Sequence, residues 1–382
     1  MRFNLKSSGL AATAAAVPLA VLSVGVASAA GAAGAAPAHH GTGSYTVTQL
    51  VSGKNLTHRY TPAGSSQSKT EPLTRPDDIT TLWGNVYAAF QNGVGPQGQA
   101  STDGNLDSTV VELTPGGRVV RQWDLRGKVD GIGADPMTGR VIATVDEDGN
   151  TSLYTIAPHR RGGQVQHYSY NRLLHNGGTD AVSVYHGQVL VSASAPGTTG
   201  GPAAPNPAYP AVYVVSLNSR THVATVRPLF SDEASATVAN SGSSAGKTVK
   251  LRLTDPDSNA VVPPVAPRFR GAFELTSQAE QQQIYVQHAD TKHPTLSVLN
   301  LSQTIDDTAW ATSSHGRLFV TDNSGDTVNM VTGPFRPGTA FVAVTPTGKA
   351  AYLGTLNMST GQVSPVTLHG PAVQAKGLQF VG

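Results

Sequence analysis

One short unit recurs along the chain. An aspartate or small residue is followed two places later by an apolar residue, then by a short alternating strand, a turn that usually holds glycine, and a β-branched strand. The clearest copies are DDITTLWGNVYAAF from Asp77, DGIGADPMTGRVIATV from Asp130, DAVSVYHGQVLVSAS from Asp180 and DTAWATSSHGRLFVTD from Asp307. Weaker copies start at Gly271 (GAFELTSQAEQQQIYV) and Thr339 (TAFVAVTPTGKAAYLG), and KGLQFVG from Lys376 begins the pattern and stops. One or two further period-2 runs follow each clear copy, for example STVVELTPGGRVVRQWDL and AVYVVSLNSRTHVATVRPL. Turn residues split these runs, and no stretch carries the 3.6-residue period of a long amphipathic helix.

A unit of three or four antiparallel strands cannot bury both faces of its sheet alone, but a ring of such units can. The expected fold is therefore all-β: a β-propeller of three- to four-stranded antiparallel blades. Seven starts predict seven blades, with six as the alternative. SYTVTQLV near the N-terminus and KGLQFVG at the C-terminus each lack a full blade, so the ring is expected to close by pairing N- and C-terminal strands. Between Asp180 and Gly271 the spacing stretches to about ninety residues. That interval suggests insertions at about 196–210, a Pro/Gly-rich segment, and at 231–267. Long loops on a rigid scaffold are natural recognition surfaces.

The first thirty residues read as a signal peptide. Arg2 and Lys6 precede an apolar run from Leu10 to Val26, and Ala27-Ser28-Ala29 offers small residues for cleavage after Ala29 or Ala30. Residues 31–43, with His39 and His40, read as a disordered leader, and 44–382 as a single propeller domain. The expectation is a secreted protein without integral membrane association. Removing the signal lowers Lys+Arg from 26 to 24 against 24 Asp+Glu, so the remaining chain is formally neutral and gives no electrostatic case for nucleic acid. The chain has no cysteine, so an exported form has no disulfides and depends on packing. A monomer with an unknown protein or small-molecule partner is expected.

Four motifs compete for chemistry. DEDGN after IATV resembles a calcium loop, but from Asp146 the sixth position is Thr151 and the twelfth is Ala157, so a hairpin turn is the better reading. GSSAG around Ser244 matches the nucleophile-elbow spelling without its strand and helix, and SGSSAGKT lacks the first glycine of a phosphate loop. Scattered histidines show no zinc spacing, and Trp83, Trp123 and Trp310 fit core packing. The aspartates at the repeat starts remain. In a propeller, Asp77, Asp130, Asp180 and Asp307 would gather at one mouth of the central channel, with Asp78 and Asp306 beside them and Lys376 able to neutralise one carboxylate. Two readings stay open: backbone-capping residues that lock one blade to the next, or a ligand site for a cation such as Ca2+ or Mg2+.

The inner-strand starts, together with GRLFVTDNSGDTVNMVTG, resemble the NHL and SMP-30/gluconolactonase-like group of β-propellers. YTVTQLV, VDGIGADP, VIATVDEDGN, SLYTI, DPDS, DDTAWATS and KGLQFV look like secreted bacterial propellers, chiefly actinobacterial; that closer resemblance implies the fold without an activity. The gluconolactonase resemblance implies a divalent metal held by Glu, Asn and Asp at the channel mouth. Here Asp77 and Asp78 stand where the Glu belongs, and no matching Asn set is visible. A binding platform is therefore the expected role, with a metal-dependent hydrolase, lactonase or lyase as the alternative.

Overall fold

The computed structural model describes residues 44–175, 177–195 and 208–382. The signal peptide, the leader and most of the 196–210 segment lie outside the described residues. Apart from one short 3-10 turn at Gly53–Asn55, the described elements are strands. No helix among them is long and apolar enough to cross a membrane.

Six strands form the inner layer, and each contacts the next around a closed ring: Pro76–Leu82, Val129–Asp135, Thr179–Tyr185, Pro256–Val261, Ile305–Trp310 and Ala375–Val381. Each heads a run of antiparallel strands, numbered here as blades 1 to 6, and blades 2 and 3 join at their outer edges through a parallel pair between Val165–Tyr170 and Val223–Ser231. Six hydrophobic clusters fill the six gaps between neighbouring blades. Tyr87, Val110 and Trp123 of blade 1, for example, meet Ile132, Val141 and Ala143 of blade 2, and Val86 and Ala88 of blade 1 meet Phe319 and Val328 of blade 6. The architecture is a β-propeller, and its pattern of burial explains the sequence. Second strands such as Asn85–Phe90 (NVYAAF) and Ala340–Val344 (AFVAV) are packed on both faces and read as continuous apolar runs. Outer strands such as Val119–Arg126 bury alternate residues only.

Blade 6 closes the ring. The C-terminal strand Ala375–Val381 is its inner strand, Arg317–Asp322 and Thr327–Thr332 follow, and the N-terminal strand Tyr45–Ser52 lies outside them. The two ends of the chain thus share one sheet, with two strands between them.

Several expectations need correction. Among the described residues the inner strands number six, the alternative to the expected seven. Phe273–Ser277, in the Gly271 copy, and Ala340–Val344, in the Thr339 copy, are second strands, paired with Pro256–Val261 and Ile305–Trp310 respectively. Both runs are apolar because they are buried on both faces. The Asp307 copy spans two blades: Ile305–Trp310 belongs to blade 5, whereas Arg317–Asp322 pairs with the C-terminal strand in blade 6. The 231–267 interval is not an insertion, because it contains the inner strand of blade 4. Its one extra feature is the hairpin Ser235–Val238/Thr248–Lys250, which joins the outer edge of blade 4 through a parallel pair with Thr295–Asn300. The GSSAG segment is the exposed turn of that hairpin.

Trp123 and Trp310 are buried, but Trp83 is 59% exposed. It occupies the turn of the first hairpin of blade 1 at φ +50, followed by Gly84 at φ +85, and its ring leans on His159 and Gly139.

Candidate functional site

Every inner strand is irregular at the same place. Its ladder with the second strand slips at residues 77/78, 180/181, 257/258, 306/307 and 376/377, and after Val129 in blade 2. A β-bulge bends a strand and re-aims a side chain. Aligning the six bulges gives two equivalent positions. The first holds Asp77, Asp130, Asp180, Asp257, Asp306 and Lys376. The second holds Asp78, Gly131, Ala181, Ser258, Asp307 and Gly377.

The second position locks blades together. Asp78 accepts the N–H of Ile79 at 2.7 Å and that of Ile132, in the next inner strand, at 2.7 Å. Asp307 does the same for Thr308 and Leu378, both at 2.6 Å. Burial outweighs these N–H groups and pushes Asp78 up to about 7; it raises Asp307 as well. Where glycine occupies the position, the neighbour comes closer. A Cβ on Gly131 would lie 2.5 Å from the Ala181 Cα, and one on Gly377 would lie 2.4 Å from the Asp77 carbonyl oxygen. Hydroxyls of second strands complete the seam: Thr144 accepts Gly131 N–H at 3.0 Å and donates to the Asp180 carbonyl, and Ser192 donates to the Asp257 carbonyl at 2.6 Å.

The first position faces the axis. The Lys376 Nζ lies 2.7 Å from Asp306 Oδ1 and 3.6 Å from Asp77 Oδ1, tying blades 5, 6 and 1 together. Gln278 also donates to Asp306. The Lys128 Nζ lies 2.5 Å from Asp130 Oδ1 and contacts Glu147, whose backbone N–H donates to Asp130 Oδ2 at 3.1 Å. Asp180 is 7% exposed, and among the described residues its carboxylate has no hydrogen-bond or ion-pair partner.

The electrostatics follow from these positions. Burial pushes Asp77 up to about 6 against the pull of Lys376 and Lys128. Burial followed by Glu147 raises Asp130 and Asp180, and burial followed by Asp180 and Asp306 raises Asp257. Burial alone would lower the two lysines; instead Asp306, Asp77 and Asp257 hold Lys376 above its usual range, and Asp130, Glu147 and Asp77 do so for Lys128. Farther along the axis the inner strands enclose a cavity of about 330 Å3, walled by Ile79, Ile132, Val182, Asn259, Thr308 and Gln379 among others.

Of the four expected residues, Asp77, Asp130 and Asp180 share the axis. Asp307 does not: it is turned into the backbone of blade 6, and Asp306 takes its place. The capping expected of the repeat-start aspartates is made by Asp307 and by Asp78, and the position before them forms an acidic ring. Sequence reasoning missed Asp257, whose DPDS context reads as loop. It also missed Lys128 and Glu147, which flank the repeat. The DEDGN segment is a turn between paired strands, with Asp146 at φ +66 and Asn150 at φ +62.

A resident Ca2+ or Mg2+ does not fit this donor set. Such ions take six or more oxygens. No group of three or more His, Asp or Glu side chains among the described residues is arranged to hold a metal, and lysine ammonium groups already bridge two of the carboxylate pairs.

No family model and no curated protein matches the chain. Solved structures do. A protein of unknown function from Bacteroides caccae is 10% identical, with a TM-score of 0.43 over 82% of this chain and 90% of its own. Another from Bacteroides thetaiotaomicron is 12% identical, with a TM-score of 0.44 over 87% and 66%. A putative gluconolactonase is 11% identical, with a TM-score of 0.29 over 70% and 61%. Likenesses this low carry no functional argument. The strand pairing makes the chain a β-propeller, and its chemistry has to be argued from its own residues.

Proposed function

We propose that this chain is an exported, non-enzymatic β-propeller that binds its ligand at the acidic end of the central channel. The observation that carries this reading is the imbalance of charge there. Asp77, Asp130, Glu147, Asp180, Asp257 and Asp306 converge on the axis, and Lys128 and Lys376 answer them. A buried carboxylate without a partner, as at Asp180, costs several kcal/mol. The carboxylates of Asp180 and Asp257 take no part in blade locking, which rests on capping by Asp78 and Asp307, close approach at Gly131 and Gly377, and the Lys376 bridge. Carboxylates kept at such a cost fit a site that gains a cationic partner. The fit to a hydrolase or lactonase is weaker, since the donor set does not suit the metal such chemistry would use.

Two measurements test the reading. Thermal unfolding of residues 31–382 at constant ionic strength, with cationic, neutral and anionic small molecules, should give a rise in midpoint with cations only, because a ligand that binds only the folded state stabilises it. A panel in which no cation of any kind raises the midpoint refutes the site. Sequencing the N-terminus of protein recovered from the culture medium tests export: a start at residue 30 or 31 supports it, and retention in the cell with Met1 intact refutes it.

A further inference from the structure

Six acids at the channel mouth divide into three pairs, with Asp255 beside Asp257 as a seventh. Asp306 and Asp77 share the Lys376 ammonium at 2.7 and 3.6 Å. Asp130 and Glu147 share the Lys128 ammonium. Asp180 and Asp257 stand at equivalent bulge positions on adjacent inner strands, and Asp180 raises Asp257's affinity for a proton. No side chain among the described residues donates a hydrogen bond or an ion pair to either carboxylate. Asp180 is also 93% buried, with its carboxylate beside Asp130 and Glu147 at the axis. Two of the three pairs are therefore bridged by an ammonium group from the chain itself, and the third is not.

We infer that the Asp180–Asp257 pair is the seat for a primary ammonium group of the ligand, carried by a free alkylamine or by the side chain of a lysine. This rests on the channel mouth being the binding site, and it names the chemistry that site selects. The two internal lysines show what this ring accepts: a compact R–NH3+ set between two carboxylates, donating to Asp306 from Lys376 and to Glu147 from Lys128, with Asp77 at 3.6 Å and Asp130 at 2.5 Å as the second charges. A primary ammonium brings three such donors and one charge. A quaternary ammonium brings the charge without donors, and a divalent ion needs more converging oxygens than two side chains supply. Just past the ring, the cavity of about 330 Å3 offers Ile79, Ile132 and Val182 beside Thr80 and Asn259, a lining suited to a short carbon chain.

The test is titration calorimetry on the chain from residue 31, at fixed ionic strength, with n-butylamine hydrochloride, tetramethylammonium chloride, calcium chloride and Nα-acetyl-lysine amide. Asp180→Asn and Asp257→Asn serve as variants. The expected result is saturable binding of butylammonium, at least tenfold weaker binding of tetramethylammonium, and at least tenfold loss of butylammonium affinity in each variant. Binding of the lysine amide but not of butylamine would assign the lysine side chain as the source; the reverse would assign the free amine. Equal affinity for butylammonium and tetramethylammonium overturns the inference, as does undiminished binding in both variants. Calcium binding without ammonium binding overturns the ligand class and leaves the channel-mouth site standing. If no cation binds, both fall. The comparison of the two ammonium ions needs only the wild-type chain, so it decides the question even if a variant fails to fold.

Discussion

Asp77 offers the sharpest test of the acidic ring, because its predicted effect runs against the usual rule for carboxylates. A salt-bridged aspartate normally stabilises a fold as pH rises. Asp77 is held at about 6 instead of its ordinary 3.8, with burial as the main cause. Between these two values the folded chain keeps a proton that the unfolded chain has released. Stability therefore falls as pH rises from about 4 to about 6, and the full penalty applies above pH 7. The shift of roughly two units corresponds to ~3 kcal/mol at 1.36 kcal/mol per unit. Replacing Asp77 with Asn removes the charge and keeps the shape. The variant should match wild type near pH 4 and exceed it by up to ~3 kcal/mol at pH 7.5. A domain of about 340 residues has an unfolding entropy of roughly 0.7 kcal/mol/K, so the midpoint should rise by about 4 °C. Denaturant unfolding of both proteins at half-unit intervals from pH 4 to 8 measures the difference directly. A difference that does not change with pH, or a wild type more stable than the variant at pH 7.5, would refute the argument that the ring is uncompensated.

Four further outcomes are expected. Gly131→Ala should lose about 1–3 kcal/mol in urea unfolding, because its Cβ would lie 2.5 Å from the Ala181 Cα across the blade seam. Asp307→Ala should lose about 1–3 kcal/mol by orphaning the N–H groups of Thr308 and Leu378, and Asp307→Asn, which keeps one acceptor, should lose less in the same assay. His58 is buried between Glu71 at 3.1 Å and Asp124 at 3.4 Å; burial alone would lower its pKa, but the two carboxylates raise it. Its contribution is complete below the unfolded value of 6.5 and disappears as pH rises through the folded value, so His58→Gln should destabilise by about 2 kcal/mol at pH 5.5 and by less at pH 8.5, read from thermal midpoints at the two values. Deleting residues 231–267 should give insoluble protein, since it removes the inner strand of blade 4, whereas Ser244→Ala in the exposed turn should leave the unfolding midpoint unchanged.

The parts of the fold that could be read from sequence are those where burial is two-sided. VYAAF, VIATV, LVSA and LFVTD announce themselves because neighbouring blades cover both faces. Inner strands are harder to find. One of their faces lines the channel, so DPDSNAVV carries Pro, Ser and Asn where apolar residues would mark a strand, and blade 4 was hidden inside an apparent insertion. The hand-over between blades 5 and 6 was hidden for a different reason. Ile305–Trp310 and Arg317–Asp322 are separated by a six-residue segment, ATSSHG, that looks like a hairpin loop and instead crosses between sheets. Asp77, Asp130 and Asp180 were readable as a set because each stands two residues before an apolar one. Asp306 was not, because the residue two places on is Thr308, whereas Asp307 stands two before Ala309, and the bulge decides which of the two aspartates faces the axis. Lys128 and Glu147 lie outside the repeat, and only the folded ring brings them to Asp130.

The tandem acids also show how one strand separates two tasks. At the second bulge position the chain uses Asp where a carboxylate can reach the next strand's N–H, and Gly where the next strand comes too close for any side chain. Either choice closes the seam at four of the six positions, and the Asp180 and Asp257 carboxylates add no contact to it. That preceding position is nevertheless acidic in five blades of six and lysine in the sixth. A purely structural ring would relieve its repulsion with apolar or amide side chains, which is the outcome expected of Asp77→Asn. Retaining the charges, bridging two pairs internally and leaving Asp180 and Asp257 without a donor is the arrangement a cation-binding mouth requires. The local cost in stability is then recovered when the cation arrives.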